Sequence, residues 1–148
     1  MNILVPTDFS ENAQVAIDYL YNHFNIKNLN VWLIHSIKEP KSTTGVLLRL
    51  DNLMKKDAEE DMGKLLSYCK ETYSAEPKTI IKQGYLTDWV EQYGASYEID
   101  LIVMGTNGES NLEERLFGSV TESVIRTSNI PVFAIPHTYK ATPIRQFI

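Results

Sequence analysis

The sequence is poor in cysteine, in long apolar runs and in clustered positive charge. Its 148 residues include one cysteine, Cys69, so no disulfide can form within the chain. No uninterrupted apolar stretch approaches the roughly 18 residues that a membrane-spanning helix needs. The N-terminus lacks the basic segment and the long apolar stretch of a signal peptide. We therefore predict a cytoplasmic protein with no membrane partner.

Positive charge is also scarce. The chain has 14 Lys and Arg against 19 Asp and Glu, which gives a net charge of -5, and its basic residues form no run. Because a broad nucleic-acid interface needs a basic stripe or patch, we predict no nucleic-acid partner. A hydrophobic content of 43% and a charged content of 22% are ordinary for one globular domain of this length.

Common catalytic and metal-binding motifs are missing as well. The sequence has no G-x-x-x-x-G-K-[S/T] loop, no strand-linked G-x-G-x-x-G and no G-x-S-x-G elbow. His23 and His137 have no partner at metal-ligand spacing, and His35 is typical of a hydrogen-bonded core histidine. Cys69 lies in an amphipathic stretch, which favours a buried apolar role over a reactive thiol. We predict no catalytic residue and no metal ligand.

What the chain has instead is an alternation of short apolar segments with amphipathic ones. The short segments predict five strands at Asn2–Pro6, Asn30–Ser36, Lys78–Lys82, Asp100–Met104 and Pro131–Ile135. Helices are predicted after the N-cap candidate Ser10, at about Leu47–Thr72, at Leu86–Tyr97 and at Gly118–Thr127. The predicted apolar faces include Leu50 and Leu53 in the second helix and Val120, Val124 and Ile125 in the fourth. Apolar strands separated by helices predict an α/β fold. We expect a five-stranded parallel doubly wound sheet of the flavodoxin or Rossmann type, with helices on both faces. The strand order stays open.

The end of the chain does not fit this alternation. Residues 138–148 include Pro143 and end in the apolar-rich segment Ile144–Ile148. Such an ending is typical of a frayed tail, but it also suits a linker followed by the first strand of a second domain. We therefore predict one domain over residues 1–137, followed by a C-terminal tail over residues 138–148.

The first candidate site follows the first strand. Pro6, Thr7 and Asp8 lie beyond the carboxyl end of this strand, where doubly wound sheets bind their ligands. Asp8 has two interpretations that the residues alone leave open. It could cap the next helix beside Ser10, or its carboxylate could accept hydrogen bonds from the ribose or base of a nucleoside.

The second candidate site follows the fourth strand. It consists of Gly105, Thr106 and Gly108 and, after nine further residues, of Gly118, Ser119 and Val120. Glycine allows positive φ and close backbone approach to a ligand, loop amides can form an anion-binding nest, and a helix N-terminus favours phosphate. The alternative is a glycine-rich connection that only turns the chain. If the first and fourth strands are neighbours, the two sites face each other and together suit a mononucleotide.

The combined pattern resembles the universal stress proteins. The spacing G-x-x-G, nine residues, G-[S/T] is the nucleotide signature of the ATP-binding members of that family. Further similar segments are Ile3–Ser10, Leu33–Ser36, Asp100–Thr106 and Ser128–Val132, so the resemblance extends from about Asn2 to Pro136. It implies ATP as the ligand, with Mg²⁺ as a candidate companion ion.

The resemblance also implies roles by position. Asp8 looks like the aspartate that contacts the nucleoside, Ser36 and Ile37 are similar to the segment that lines the adenine, and the glycine set with Ser119 looks like the phosphate-binding group. The uncharged strand Pro131–Ile135 is expected at a sheet edge, where it would pair with its own copy. The family resemblance implies the same homodimer.

One segment departs from the family pattern. Glu109–Arg115 holds three acids and one base where Arg or Lys is common in the family. If these acids faced bound phosphates, triphosphate affinity would suffer unless a divalent metal intervened. We favour the alternative that they face water, where screening keeps the effect small.

Three functions remain in competition. We favour an adenine-nucleotide-binding stress-response protein that couples occupancy to its oligomer or partner state. It would not be an enzyme beyond slow ATP hydrolysis, because the sequence shows neither a P-loop lysine nor an evident base. A ligand-free interaction module of the same fold is the second candidate. An ATP pyrophosphatase or nucleotidyltransferase is the third, and Pro6–Ser10 lacks the Ser-Gly-Gly or His-x-Gly-His motif expected of it.

Overall fold

The computed structural model describes residues 1–39, 45–107 and 117–140, with the backbone alone for 45–48. The strands are β1 (Asn2–Pro6), β2 (Asn30–Ile37), β3 (Lys78–Gln83), β4 (Leu101–Gly105) and β5 (Val132–Ile135). The helices are α1 (Glu11–His23), α2 (Gly45–Tyr73), α3 (Leu86–Ser96) and α4 (Ser119–Thr127), and a 3₁₀ turn covers Ile26–Asn28. Each predicted element is present within two residues of its expected bounds, whereas the 3₁₀ turn was not predicted.

The five strands form one parallel sheet in the order β3-β2-β1-β4-β5. The predicted doubly wound fold is therefore confirmed, and the strand order is now known. β1 lies between β2 and β4, with Ile3 opposite both Val31 and Leu101. Since the chain leaves β1 toward β2 and β4 lies on the other side, the topological switch point falls between β1 and β4.

Apolar side chains cover both faces of the sheet, which is why the strands read as continuous apolar runs. In β1, Ile3 and Val5 pack in the cluster with α1 and α2, while Leu4 packs in the cluster with α3 and α4. All three are fully buried. Burial of each such side chain contributes about 1.5–3 kcal/mol, so the core fixes the central strand and the turn that follows it.

Two predicted apolar helix faces are wrong in part. In α4, Val124 is fully buried, but Val120 and Ile125 are 51% and 41% exposed. This helix has only nine residues, and a single narrow stripe of it meets the sheet. In α2, Leu50 and Leu53 are exposed. With 29 residues this helix is far longer than the strands, so its first turns extend beyond the core.

The last described residues return to α1. β5 lies at an edge of the sheet, as predicted, and its Phe133 is 45% exposed. Beyond it the chain turns, and the Tyr139 ring lies 5.2 Å from the Tyr19 ring. The Tyr139 hydroxyl lies 2.6 Å from His23 Nε2. Most of the predicted tail, residues 141–148, lies outside the described residues. No helix in the described part combines the length and apolarity that crossing a membrane requires.

Candidate functional site

The first candidate site is a tight turn between β1 and α1. Phe9, at its centre, has a φ of 64°, in the left-handed region that bulky residues rarely adopt. Its N–H donates to Thr7 Oγ1 at 3.0 Å, and the Ser10 N–H donates to Asp8 Oδ1 at 3.0 Å. The Thr7 N–H donates to the Ile34 carbonyl at 2.9 Å, which ties the turn to β2. Strained backbone of this kind concentrates at functional sites.

Asp8 takes part in capping α1, as one of its two interpretations predicts. Ser10 is the N-cap residue, and its Oγ accepts a hydrogen bond from the Ala13 N–H at 3.2 Å. The Ser10 hydroxyl in turn donates to Asp8 Oδ1 at 2.5 Å. A carboxylate can accept about four hydrogen bonds, so this structural role leaves the nucleoside interpretation open. The cap also fixes the direction of the Asp8 side chain.

Ser36 and Ile37 connect the end of β2 to the turn after β3. The Ser36 hydroxyl donates to the Gly84 carbonyl at 2.5 Å, and the Gly84 N–H donates to the Ile37 carbonyl at 2.9 Å. Gly84 has a φ of 125°, which requires glycine. Sequence analysis predicted Ser36 and Ile37 as site residues but missed their partner Gly84. The position of this glycine directly after a strand could have indicated it. The Ser36 hydroxyl is therefore engaged within the protein.

Gly105 ends β4 at a point where the strand passes close to α1. A Cβ here would lie 2.6 Å from the Asn12 carbonyl oxygen and 3.2 Å from its carbon. Glycine is needed because the backbones approach closely. The sequence instead suggested positive φ or approach to a ligand. Positive φ applies at neither Gly105 nor Gly118, since Gly118 has a φ of -64° and Gly84 is the one positive-φ glycine of the described chain.

Two hydrogen bonds fasten the start of α4 to the end of β4. The Gly118 N–H donates to the Thr106 carbonyl at 2.6 Å. The Thr121 hydroxyl donates to the Gly105 carbonyl at 2.8 Å, and Thr121 is 4% exposed. Sequence reasoning missed Thr121. The available signal was a small polar residue three positions before the apolar Val124.

The first turn of α4 has the properties of an anion site. Its N-cap residue, Gly118, offers no side chain to cap the helix, and Ser119 and Val120 in the first turn are exposed. The amides and dipole of a helix N-terminus favour phosphate. Gly108 and the acidic residues Glu109–Glu114 lie outside the described residues, so their predicted roles stay predictions.

The sheet order brings the two candidate sites together. β1 and β4 are neighbours, and Gly105 touches Asn12 in the first turn of α1. The predicted residues at the ends of β1, β2 and β4 thus share the carboxyl edge of the sheet. They are Pro6, Thr7, Asp8, Ser36, Ile37, Gly105 and Thr106. Gly118, Ser119 and Val120 join them through the bonds that hold α4. Within the described ranges, no cluster of three or more His, Cys, Asp or Glu is suited to a metal ion.

Known proteins share this arrangement of elements. The profile of the Universal stress protein family matches residues 1–136. The chain is 33% identical to Universal stress protein MJ0577 of Methanocaldococcus jannaschii, over 90% of this chain and 93% of that relative. This chain belongs to the universal stress protein family. The resemblance seen in the sequence is confirmed.

Solved structures of this universal stress protein family agree in fold. The structure of MJ0577 superposes with a TM-score of 0.81 and covers 95% of this chain and 97% of its own. The universal stress protein UspA from Lactobacillus plantarum is 28% identical, with a TM-score of 0.79 over 91% of this chain and 97% of its own. The α/β architecture is thus that of the family.

A cleft of about 190 Å³ opens beside the β1–α1 turn of this family member, between α1 and α2. Its lining residues are Thr7, Phe9, Ser10 and Gln14 on one side and Asp61, Lys64, Leu65 and Tyr68 on the other. Small-molecule sites usually measure about 300–1,000 Å³. The cleft is therefore too small for a whole nucleotide and borders the candidate site without containing it.

Cys69 has the buried role that the sequence favoured. Its side chain is fully buried in the cluster beneath α1 and α2. Burial, aided by the nearby Asp18 carboxylate, raises the pKa of the Cys69 thiol to about 11. Because the thiolate is the reactive form, this thiol stays neutral and unreactive near neutral pH in the folded universal stress protein.

Proposed function

We propose that this universal stress protein binds an adenine nucleotide, ATP foremost, between the β1–α1 turn and the N-terminus of α4. One observation carries the proposal: the fold sets the oriented Asp8 carboxylate and the exposed first turn of α4 on the two sides of the β1–β4 switch point. A carboxylate accepts hydrogen bonds from ribose hydroxyls, and helix amides donate to phosphate oxygens. One ligand that carries both groups is a nucleotide.

Two solved structures of similar fold are described with adenine nucleotides. A universal stress protein in complex with cAMP is 22% identical to this chain, with a TM-score of 0.58. A family protein from Arabidopsis thaliana with AMP bound is 16% identical, with a TM-score of 0.65. At these identities the likeness concerns the fold, and the ligands belong to those proteins. They support the ligand class proposed for this chain.

Regulation is the proposed purpose of binding. Nucleotide occupancy would change the oligomer or partner state in a stress response, with slow ATP hydrolysis at most, since the sequence offers no P-loop lysine. Mg²⁺ would accompany ATP through its phosphates.

A homodimer would form through β5, an uncharged edge strand with exposed Phe133. The cytoplasmic location also stays a prediction.

Nucleotide binding is tested by thermal unfolding with ATP, ADP and AMP at millimolar concentration, with and without Mg²⁺. A ligand that binds only the folded state raises the melting temperature. Asp8→Asn should remove most of the shift, because it removes the charge while an oxygen remains to support the α1 cap. The exposed Asp57→Asn is the matched control. If no nucleotide shifts the wild-type melting temperature, the ligand-free module becomes the better interpretation.

The dimer is tested by light scattering. We expect the wild type to be a dimer at tens of micromolar, and Val132→Lys combined with Phe133→Glu to split it, because both changes charge the β5 edge. Thr79→Lys, at the opposite edge strand β3, is the control and should leave the mass unchanged. A wild-type monomer at that concentration would contradict the dimer.

A further inference from the structure

His35 lies near the end of β2, directly beside the β1–α1 turn, and was not among the predicted site residues. Its Nδ1 lies 2.8 Å from the Thr7 carbonyl oxygen. Its ring centroid lies 4.5 Å from that of Phe9, and the side chain is half-buried. A carbonyl oxygen can only accept a hydrogen bond, so Nδ1 must carry the proton.

These two contacts support the strained part of the turn. Phe9 at a φ of 64° persists only where its surroundings hold it. The His35 donor fixes the carbonyl two residues before Phe9, and the His35 ring packs against the Phe9 ring. Asp8 lies between Thr7 and Phe9, and its Oδ1 accepts hydrogen bonds from the N–H and the hydroxyl of Ser10. The direction of the carboxylate therefore depends on the conformation that His35 maintains.

We propose that His35 is a positioning residue for ligand binding, which acts by holding Thr7 and Phe9 so that the Asp8 carboxylate keeps the direction that its hydrogen bonds from Ser10 give it. The inference rests on the proposed nucleotide site. His35 contacts no ligand in this scheme. Its contribution is the N–H donor first and the ring second, because the donor fixes the backbone that carries Asp8.

Three variants separate the donor from the ring. His35→Asn keeps an N–H donor at the δ position without the ring, His35→Phe keeps a ring without the donor, and His35→Ala removes both. The exposed His137→Asn is the control. Loss of one hydrogen bond that orients a binding group should weaken ATP affinity about tenfold in His35→Phe and His35→Ala. His35→Asn should stay within about threefold of the wild type. Equal losses of ATP affinity in all three His35 variants, or no loss of ATP affinity in any of them, would overturn the inference.

Nuclear magnetic resonance gives a readout that needs no nucleotide. Nitrogen-15 shifts report which ring nitrogen of His35 is protonated, and the amide coupling constant of Phe9 reports its φ. We expect a protonated Nδ1 in the wild type and loss of the left-handed Phe9 in His35→Phe. If the wild type binds ATP while Nδ1 is unprotonated, the proposed role of His35 is overturned and the proposed nucleotide site is not. A wild type that shows both signatures and binds no nucleotide overturns the proposed function and, with it, the role of His35 in binding.

Discussion

The two halves of the candidate site are built from different parts of the chain. The β1–α1 half presents a side chain, Asp8, whose direction is set by hydrogen bonds from Ser10. The β4–α4 half presents backbone: a strand end at Gly105 and a helix start at Gly118, joined through Thr121. A side chain such as that of Asp8 can be replaced without displacing the backbone, whereas a substitution in the β4–α4 half requires the backbone to shift. Substitutions in the first half should therefore mainly alter ligand binding, and substitutions in the second half should mainly alter stability.

The largest effect on stability is expected for Gly105→Ala. The new Cβ would lie 2.6 Å from the Asn12 carbonyl oxygen, closer than real Cβ atoms come, and the obstacle is backbone. α1 must then move away from β4, and overpacking of this kind costs about 1–3 kcal/mol. Urea unfolding measures the loss.

Gly63→Ala is the matched control for this substitution. Gly63 lies inside α2, and a Cβ there would meet nothing within 4 Å. Since alanine is the better helix former, this variant should gain up to about 1 kcal/mol. A Gly105→Ala protein as stable as the wild type would mean that the β4 end tolerates a side chain, and the distinction between the two halves would fail.

The second-largest effect on stability is expected for Thr121→Val. Valine has nearly the same shape but lacks the hydroxyl that donates to the Gly105 carbonyl at 2.8 Å. Loss of this buried hydrogen bond should cost about 1–2 kcal/mol in the free energy of unfolding. Thr121→Ser keeps the hydroxyl and should recover most of the bond. If the valine variant is as stable as the wild type and the serine variant is not, the methyl group and not the hydrogen bond holds α4.

Sequence patterns predicted the elements of this fold well, because each helix and strand has its own apolar period. They did not predict that β1 and β4 are neighbours, since a run of parallel crossovers permits several strand orders. Gly105 was predicted to be glycine for positive φ or for close approach to a ligand. Its need for glycine comes from Asn12, a residue 93 positions away in the chain, and such a contact has no local signature.

The supporting residues of the site were harder to find than its glycines. Thr121 reads as an ordinary helix residue, and His35 reads as a core histidine. Their importance depends on the carbonyls they bind, those of Gly105 and Thr7, which only the assembled sheet brings near. Val120 was predicted within an apolar face and is instead exposed beside the candidate anion site. Which group a polar side chain binds, and whether a helix face is exposed, depend on the tertiary structure. Apolar periodicity, in contrast, is a property of the local sequence.

Ser10→Ala tests the side-chain half and should have a smaller effect on stability. It removes the acceptor for the Ala13 N–H and the hydroxyl donor to Asp8. Loss of an N-cap costs about 1 kcal/mol, while nucleotide affinity should fall further because Asp8 loses an orienting partner. Paired measurements of unfolding and ATP binding check this. A variant that loses stability but keeps full affinity would show that the two halves do not differ as described.

The smallest effect is expected for Glu109→Gln combined with Glu113→Gln, in the acidic segment between the second and third signature glycines. Both residues lie outside the described part of the chain, so this prediction comes from the sequence. If the carboxylates face water, screening by salt makes them nearly neutral to binding, and ATP affinity should change less than about twofold. Glu59→Gln combined with Glu60→Gln, on the exposed side of α2, is the charge-matched control. Titrations at low and high salt should then agree. Clearly tighter binding at low salt would place the acids against the phosphates. A clear loss of affinity, seen only with Mg²⁺, would instead indicate that they hold the metal, and the second half of the site would then depend on side chains as the first half does.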